Sequence, residues 1–211
     1  MILDEIWRYP VKSMRGERLD AVELGPGGIP GDRVVHVEDA RGKVVTSRSR
    51  PALLGHAGTL AADGEPLVDG LFWDDPAVAE LVTAAVGAPA RLVRHAGGRF
   101  DKFPLLVATD GSLAAFGHDR RRLRPNLVIA GVAGLAERDW EGRRLAIGEA
   151  VIETVELRER CIMTTFDPDT QEQDVEVLLG IRRDFDGRLA LDTRILRPGR
   201  IRVGDPVELL P

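Results

Sequence analysis

The chain holds a single cysteine, Cys161, in the run Arg158-Glu159-Arg160-Cys161-Ile162-Met163-Thr164-Thr165-Phe166-Asp167-Pro168-Asp169. A lone thiol has no internal disulfide partner, so its chemistry is that of a thiol, a thiolate or a metal ligand. Cationic neighbours favour the thiolate, the form that binds metals and attacks electrophiles, and two arginines precede this cysteine. Unpaired cysteines are also among the most buried residue types and pack as small hydrophobes. Spacing alone leaves both readings open.

Three more groups set polar side chains against apolar runs. Tyr9-Pro10-Val11-Lys12-Ser13-Met14-Arg15-Gly16 puts a cation and a hydroxyl at the end of a strand. Gly31-Asp32-Arg33 is followed by Thr46-Ser47-Arg48-Ser49-Arg50-Pro51, and Arg124-Pro125-Asn126 opens a later apolar run. Singly, these read as turn residues and solvated arginines. Together with Cys161 they offer cations for a phosphate, amides for a heterocycle and a soft thiolate for a metal. Other signatures are missing. No Gly-x-Gly-x-x-Gly follows a strand, and neither a P-loop nor a Gly-x-Ser-x-Gly elbow occurs. His36, His56, His95 and His118 are scattered, without the close pairs a zinc site favours.

The elements that must position these groups are mostly strands. Dense turn signals at residues 25–32 separate strands at Leu19–Leu24 and Arg33–Glu38, and Lys43–Ser47 reads as a third. Asp75 and Pro76 cap and open a helix whose Val78, Leu81, Val82 and Ala85 repeat at helical spacing, and Gly87 ends it. The boundary between two domains, 1–87 and 88–211, is placed there. Beyond it, Pro104–Ala108 and Asn126–Ala130 read as buried strands, with a short helix opening at Thr109–Ser112. Arg143–Ile147 and Ala150–Leu157 form a hairpin that delivers Cys161 at its far end. Glu172–Arg183 is predicted helical, with Val175, Leu178, Leu179 and Arg182 on one face, and Leu189–Ile195 and Ile201–Leu209 close the chain as strands. The class is α+β, mainly β, with a few short helices.

A chain of 211 residues with net charge −5 is not a general nucleic-acid binder. Its one cysteine suits a reducing compartment. No secretory signal and no apolar run of membrane-spanning length are visible, so a cytoplasmic protein without a membrane partner is expected. Only Lys12, Lys43 and Lys102 are lysines, and every other basic residue that is not histidine is arginine, the better bidentate ligand for phosphate. Arg120-Arg121-Arg122 reads as a solvated charge run or as a docking patch for an acidic protein.

The motifs taken in order resemble the MOSC family, and most closely its amidoxime-reducing branch. Tyr-Pro-Val-Lys-Ser, Gly-Asp-Arg and Thr-x-Arg are similar to that branch's β-barrel-like N-terminal domain. Phe103-Pro104-Leu105-Leu106 through Ser112-Leu113, Arg124-Pro125-Asn126, the Cys161 segment and Val203-Gly204-Asp205-Pro206-Val207 resemble the MOSC β-barrel domain. The resemblance implies a molybdenum cofactor, a Mo-pyranopterin whose dithiolene sulfurs are joined by Cys161. By matching position, Lys12, Ser13, Arg33 and Arg48 would hold it from the N-terminal side. Arg124, Asn126, Thr109, Ser112 and Arg160 would do so from the MOSC side, with the Asp167–Asp169 loop at the substrate mouth. The implied reaction is two-electron reduction of an N–O bond in a small N-hydroxylated substrate. One cysteine cannot hold an iron–sulfur cluster, so a separate flavin or iron–sulfur reductase would supply the electrons. A non-catalytic carrier of molybdenum cofactor or sulfur that uses Cys161 is the alternative. Pyridoxal phosphate binding, associated with this type of domain, is a further expectation.

Overall fold

The computed structural model describes all 211 residues. The first part of the chain contains β1 (Ile2–Arg8), β2 (Glu17–Leu19), β3 (Ala21–Leu24), β4 (Val35–Asp39), β5 (Val44–Val45), β6 (Gly58–Leu60), β7 (Pro66–Val68), β8 (Leu71–Phe72), α1 (Pro76–Val86) and β9 (Ala90–Arg94). The second contains β10 (Leu105–Thr109), α2 (Asp110–Phe116), β11 (Leu127–Ala130), β12 (Arg144–Ile147), β13 (Ala150–Glu159), α3 (Val175–Phe185), β14 (Arg188–Arg197), β15 (Gly199–Arg202) and β16 (Val207–Leu210).

An eight-stranded sheet runs in the order β16-β12-β13-β14-β10-β11-β1-β2. Its only parallel pair is β10 with β11, joined through α2, because a parallel connection needs a crossover. Every residue of β10 is buried. Side chains alternate across a strand, so Leu105 and Val107 enter one core while Leu106 and Ala108 enter another beneath α2 and α3. Burial on both faces explains the unbroken apolar run in its sequence. A third cluster gathers Val11, Met14, Val35, Val37 and Leu53 under α1.

Helix ends follow local chemistry. Asp75 accepts the amide of Ala77, Pro76 sits in the first turn, and Gly87 closes α1 with a left-handed φ of 72°. The buried stripe is Val78, Val82 and Val86, whereas Leu81, expected inside, is exposed. α3 buries Val177, Ile181 and Phe185, and the predicted Val175 and Leu179 face outward. The segment Val175-Glu176-Val177-Leu178-Leu179 is apolar on nearly every side. That stretch alone does not choose a face, but Ile181 and Phe185 continue the spacing of Val177, and these three pack with Leu106, Ala108 and Val128.

Strand pairing crosses the boundary expected at Gly87. β1 pairs with β11 in the register Ile2↔Ala130 to Ile6↔Leu127, and β3 pairs with β15. β9, beyond Gly87, pairs with β4. No helix is long and apolar enough to cross a membrane.

α2 starts in a buried polar knot. Thr109 caps it and exchanges bonds with Ser112 in a capping box, and Thr109 Oγ1 also donates to Oε2 of Glu137 at 3.1 Å. Glu137 is fully buried and its Oε1 has no partner. Burial raises its pKa above the usual carboxylate range, against the weaker pull of its hydrogen bonds. A carboxyl raised on folding stabilises fully below its unfolded pKa and loses that contribution as pH rises through the folded value. Glu137→Gln is therefore expected to match wild type near pH 4 and to melt higher as pH approaches 8, by about 2–4 °C per kcal/mol gained. Thermal melts across that range check it; a constant difference would refute the ionisation argument.

Candidate functional site

Asp32 and Asn126, both about 1% exposed, form the hub around which the site is arranged. Asp32 Oδ1 accepts the amide of Tyr9 at 2.6 Å, and its Oδ2 accepts from Asn126 Nδ2 at 3.1 Å and from Arg33. The Asn126 amide also donates to the Trp7 carbonyl, while its oxygen accepts from the Leu106 amide and, at 3.4 Å, from Arg33. One hub thus ties the end of β1, the turn before β4 and the start of β11. A primary amide offers two donors and two lone pairs, and Asn126 uses all of them within the protein.

Beside this hub opens a cleft of about 420 Å³. Eight cationic side chains line it, among them Lys12, Arg33, Arg48, Arg124, Arg158 and Arg160, against three carboxylates, Asp101, Glu159 and Asp192. In a chain of net charge −5, such a concentration is an anion-binding surface. Ser13, Arg33 and Arg124 line it with left-handed backbones, at φ 73°, 53° and 56°. That conformation costs a non-glycine residue roughly 1–2 kcal/mol, and it gathers where surrounding structure must hold a functional group in place.

Arg124 and Arg160 form no ion pair. Arg124 donates to the Met14 carbonyl at 2.6 Å and stands 4.2 Å over the Tyr9 ring, and Arg160 donates to the Leu123 carbonyl at 2.8 Å. Nε of Arg160 is buried without a partner. Burial pulls both guanidinium pKa values down to about 10. Buried charges are ordinarily paired or bound to a ligand, so two unpaired guanidiniums in one cleft mark a place for an anion. Burial also pushes Lys12 below the usual lysine range, although Asp101 bonds it at 2.6 Å.

Cys161 forms part of the same wall, half-buried, where β13 gives way to the short turn Ile162–Thr165. The turn closes on the cysteine itself, whose carbonyl accepts from the Thr164 amide and hydroxyl. Ser47, fully buried, donates to the Met163 sulfur at 3.4 Å. Arg122 donates to the carbonyls of Thr164 and Thr165 and to Asp167, and Arg121 binds both Asp169 oxygens. Arg120 bonds Glu5. Carboxylates and carbonyls of this chain thus engage all three members of the arginine run, while the Arg120 and Arg121 side chains keep 42% and 34% of their surface exposed.

Of the residues singled out from sequence, Lys12, Ser13, Arg33, Arg48, Arg124, Asn126, Arg160 and Cys161 line the cleft. Thr109 and Ser112 do not. They are fully buried in the α2 capping box, where their hydroxyls serve backbone amides and Glu137, which corrects their assignment as cofactor contacts. Arg158, Asp101 and Asp192 were missed. Arg158 lies two positions before Arg160, and that strand alternation was the available signal for it. It grips both oxygens of Asp192, at 2.9 and 3.1 Å. Burial keeps Asp192 above the usual carboxylate range despite that grip. No cluster of three or more His, Cys, Asp or Glu side chains is placed to hold a metal ion.

Residues 103–208 match the MOSC domain family, and residues 1–69 match the MOSC N-terminal beta barrel domain. The chain belongs to the MOSC family. It is similar to human mitochondrial amidoxime-reducing component 1, with 28% identity across 98% of this chain and 82% of the relative. Similarity to the mouse mitochondrial amidoxime-reducing component 1 reaches 33% over 52% of this chain and 37% of that protein. The crystal structure of the YUAD protein from Bacillus subtilis shares the fold, with a TM-score of 0.50 and 14% identity over 99% of this chain and 94% of that one. None of these matches supports pyridoxal phosphate. The cleft lysines do not favour it either, since Lys12 is bound to Asp101 and the Arg99 carbonyl, and Lys102 to Glu156.

The brace on the cysteine turn is open to test. Arg122→Ala removes three acceptors' common donor, at about 1–3 kcal/mol. We expect Tm to fall by several degrees and the amides of Phe166 and Asp174 to exchange faster. A Tm within about 1 °C of wild type, with exchange unchanged, would show that the turn stands without it.

Proposed function

We propose that this MOSC protein binds a molybdenum cofactor in the cationic cleft and reduces small N-hydroxylated molecules with electrons from a separate donor protein. The observation that carries the proposal is the sharing of one cleft by the sole thiol and two half-buried arginines that have no carboxylate partner. The donor set fits such a group. A soft thiolate suits molybdenum and the guanidiniums suit the pterin's phosphate. With one protein ligand on offer, a metal at Cys161 has to arrive with its other ligands, as a metal on a dithiolene does. The relatives are named as amidoxime-reducing components, which favours an N–O substrate.

In this reading Cys161 holds the metal, and Arg48, Arg124, Arg158 and Arg160 gather on the phosphate and pterin side. When bound, the group supplies two-electron chemistry that a protein side chain lacks. The reduction converts R–N–OH, two electrons and two protons into R–N–H and water. The residues of this chain bind and orient. The Asp32–Asn126 hub fixes the spacing between Arg33 and the start of β11, and the Arg122 brace fixes the turn that carries Cys161. Preset positive charge stabilises developing negative charge without reorganisation. A free thiol suits a reducing compartment, the cytoplasm in this reading, while the named relatives are mitochondrial.

Protein made in a host that synthesises the cofactor is expected to carry near-stoichiometric molybdenum and pterin. With a viologen dye as electron source it should reduce an N-hydroxylated amidine. Cys161→Ser should lower turnover by more than about 100-fold, beyond the loss typical of an outer contact. Metal and pterin without turnover would move the assignment to a cofactor carrier. Protein lacking both would remove the proposal.

A further inference from the structure

Of the cleft's three carboxylates, Asp101 is the one that three cations reach. Asp101 Oδ1 lies 2.6 Å from Lys12 Nζ, and its Oδ2 lies 2.8 Å from Arg48 and 3.5 Å from Arg158. These three cations come from separate places in the chain, the turn after β1, the segment after β5 and the end of β13. Their convergence on one oxygen pair is how a bound anion is gripped. The surrounding loop is fastened independently of that carboxylate. Lys12 Nζ also donates to the Arg99 carbonyl at 3.0 Å, and the Arg99 amide donates to the Arg33 carbonyl at 2.9 Å. Gly98 lies so close to the Asp32 carbonyl that a Cβ there would come within 2.7 Å. The Asp101 side chain itself is 37% exposed, so it can turn to water while the loop backbone stays in place.

We propose that Asp101 is the specificity-determining residue of the cleft, an internal monoanion that a ligand must displace and that therefore selects multiply charged phosphate over singly charged anions. The proposal rests on the reading of the cleft as a phosphate-holding site and goes beyond it by assigning the source of its selectivity. A monoanion entering the cluster exchanges one unit of negative charge for another and gains nothing in attraction to Lys12, Arg48 and Arg158. A phosphate dianion carries more charge to the same three cations and displaces the carboxylate at a net gain. Selectivity built by making the wrong ligand compete is a common device of binding sites. Arg124 and Arg160, which lie in the same cleft without a carboxylate, then serve the remaining phosphate oxygens or the group attached to them.

The test is calorimetric titration of the full chain, purified from a host that lacks the pterin, with inorganic phosphate at constant ionic strength. The background salt is gluconate in one series and chloride in the other. Wild type is expected to bind phosphate weakly and almost equally in both series. Asp101→Asn should bind phosphate on the order of tenfold more tightly in gluconate, and chloride should then cut that affinity severalfold. Asp101→Ser, which removes the amide as well, should behave alike. Arg48→Ser should weaken binding in every background, which locates the phosphate in the cleft. Equal or weaker phosphate binding by both Asp101 variants, with the Arg48→Ser loss intact, would overturn the selectivity role and leave the phosphate reading standing. Phosphate binding unaffected by Arg48→Ser would remove both.

Discussion

The structure turns on the bond between Asp32 and Asn126. Two short polar side chains, both withdrawn from water, join the end of β1, the turn leading to β4 and the first residue before β11. A buried polar pair left half-satisfied is costly, so every strand that meets it is held to one register. Arg33 leans on the same pair and Arg124 lies two residues from it. The cationic wall therefore inherits its geometry from a neutral amide and a buried carboxylate. Nothing in that hub needs to touch a ligand for the cleft to depend on it.

Electrostatics then separates two kinds of arginine. Those at 120, 121 and 122 are neutralised by Glu5, Asp119, Asp167, Asp169 and backbone carbonyls, and their work is mechanical. Those at 124 and 160 are half-buried without a carboxylate, and loss of surrounding water drags their affinity for the proton down. Arg121 and Arg122 stiffen the segment that follows Cys161, Arg120 ties to Glu5 in β1, and the second group leaves charge unmatched beside the cysteine. A single stretch of basic sequence, Arg120 to Arg124, supplies both roles.

Much of this was legible in the sequence, for local reasons. Lys12, Arg33, Arg48 and Cys161 stand in turns at strand ends, and turn chemistry is written in short runs. Asp75, Pro76 and Gly87 marked α1 in the same way. Thr109 and Ser112 were misread because a hydroxyl at a strand-to-helix junction suits a cap as well as a ligand. Choosing between the two needs the buried Glu137 that sits against them. Asp101 carried no local signal at all, since its meaning comes from Lys12, Arg48 and Arg158 arriving from three distant segments. The face of α1 was ambiguous because apolar residues run almost around it, whereas in α3 the apolar start, Val175 to Leu179, hid a spacing that Ile181 and Phe185 complete.

The pairing of β1 with β11 reaches further than the architecture it completes. β1 can pair early with its neighbour β2, but its other edge finds β11 only after Leu127 to Ala130 have been made. Pairings this distant in sequence slow folding and lengthen exposure to wrong partners. A fragment cut at the start of the MOSC match, near Phe103, would keep the cysteine yet leave β11 as a bare hydrophobic edge, inviting a second chain to fill it. The two family segments are thus separable as text but not as matter, and swapping either between relatives would mean moving β1 with the sheet it belongs to.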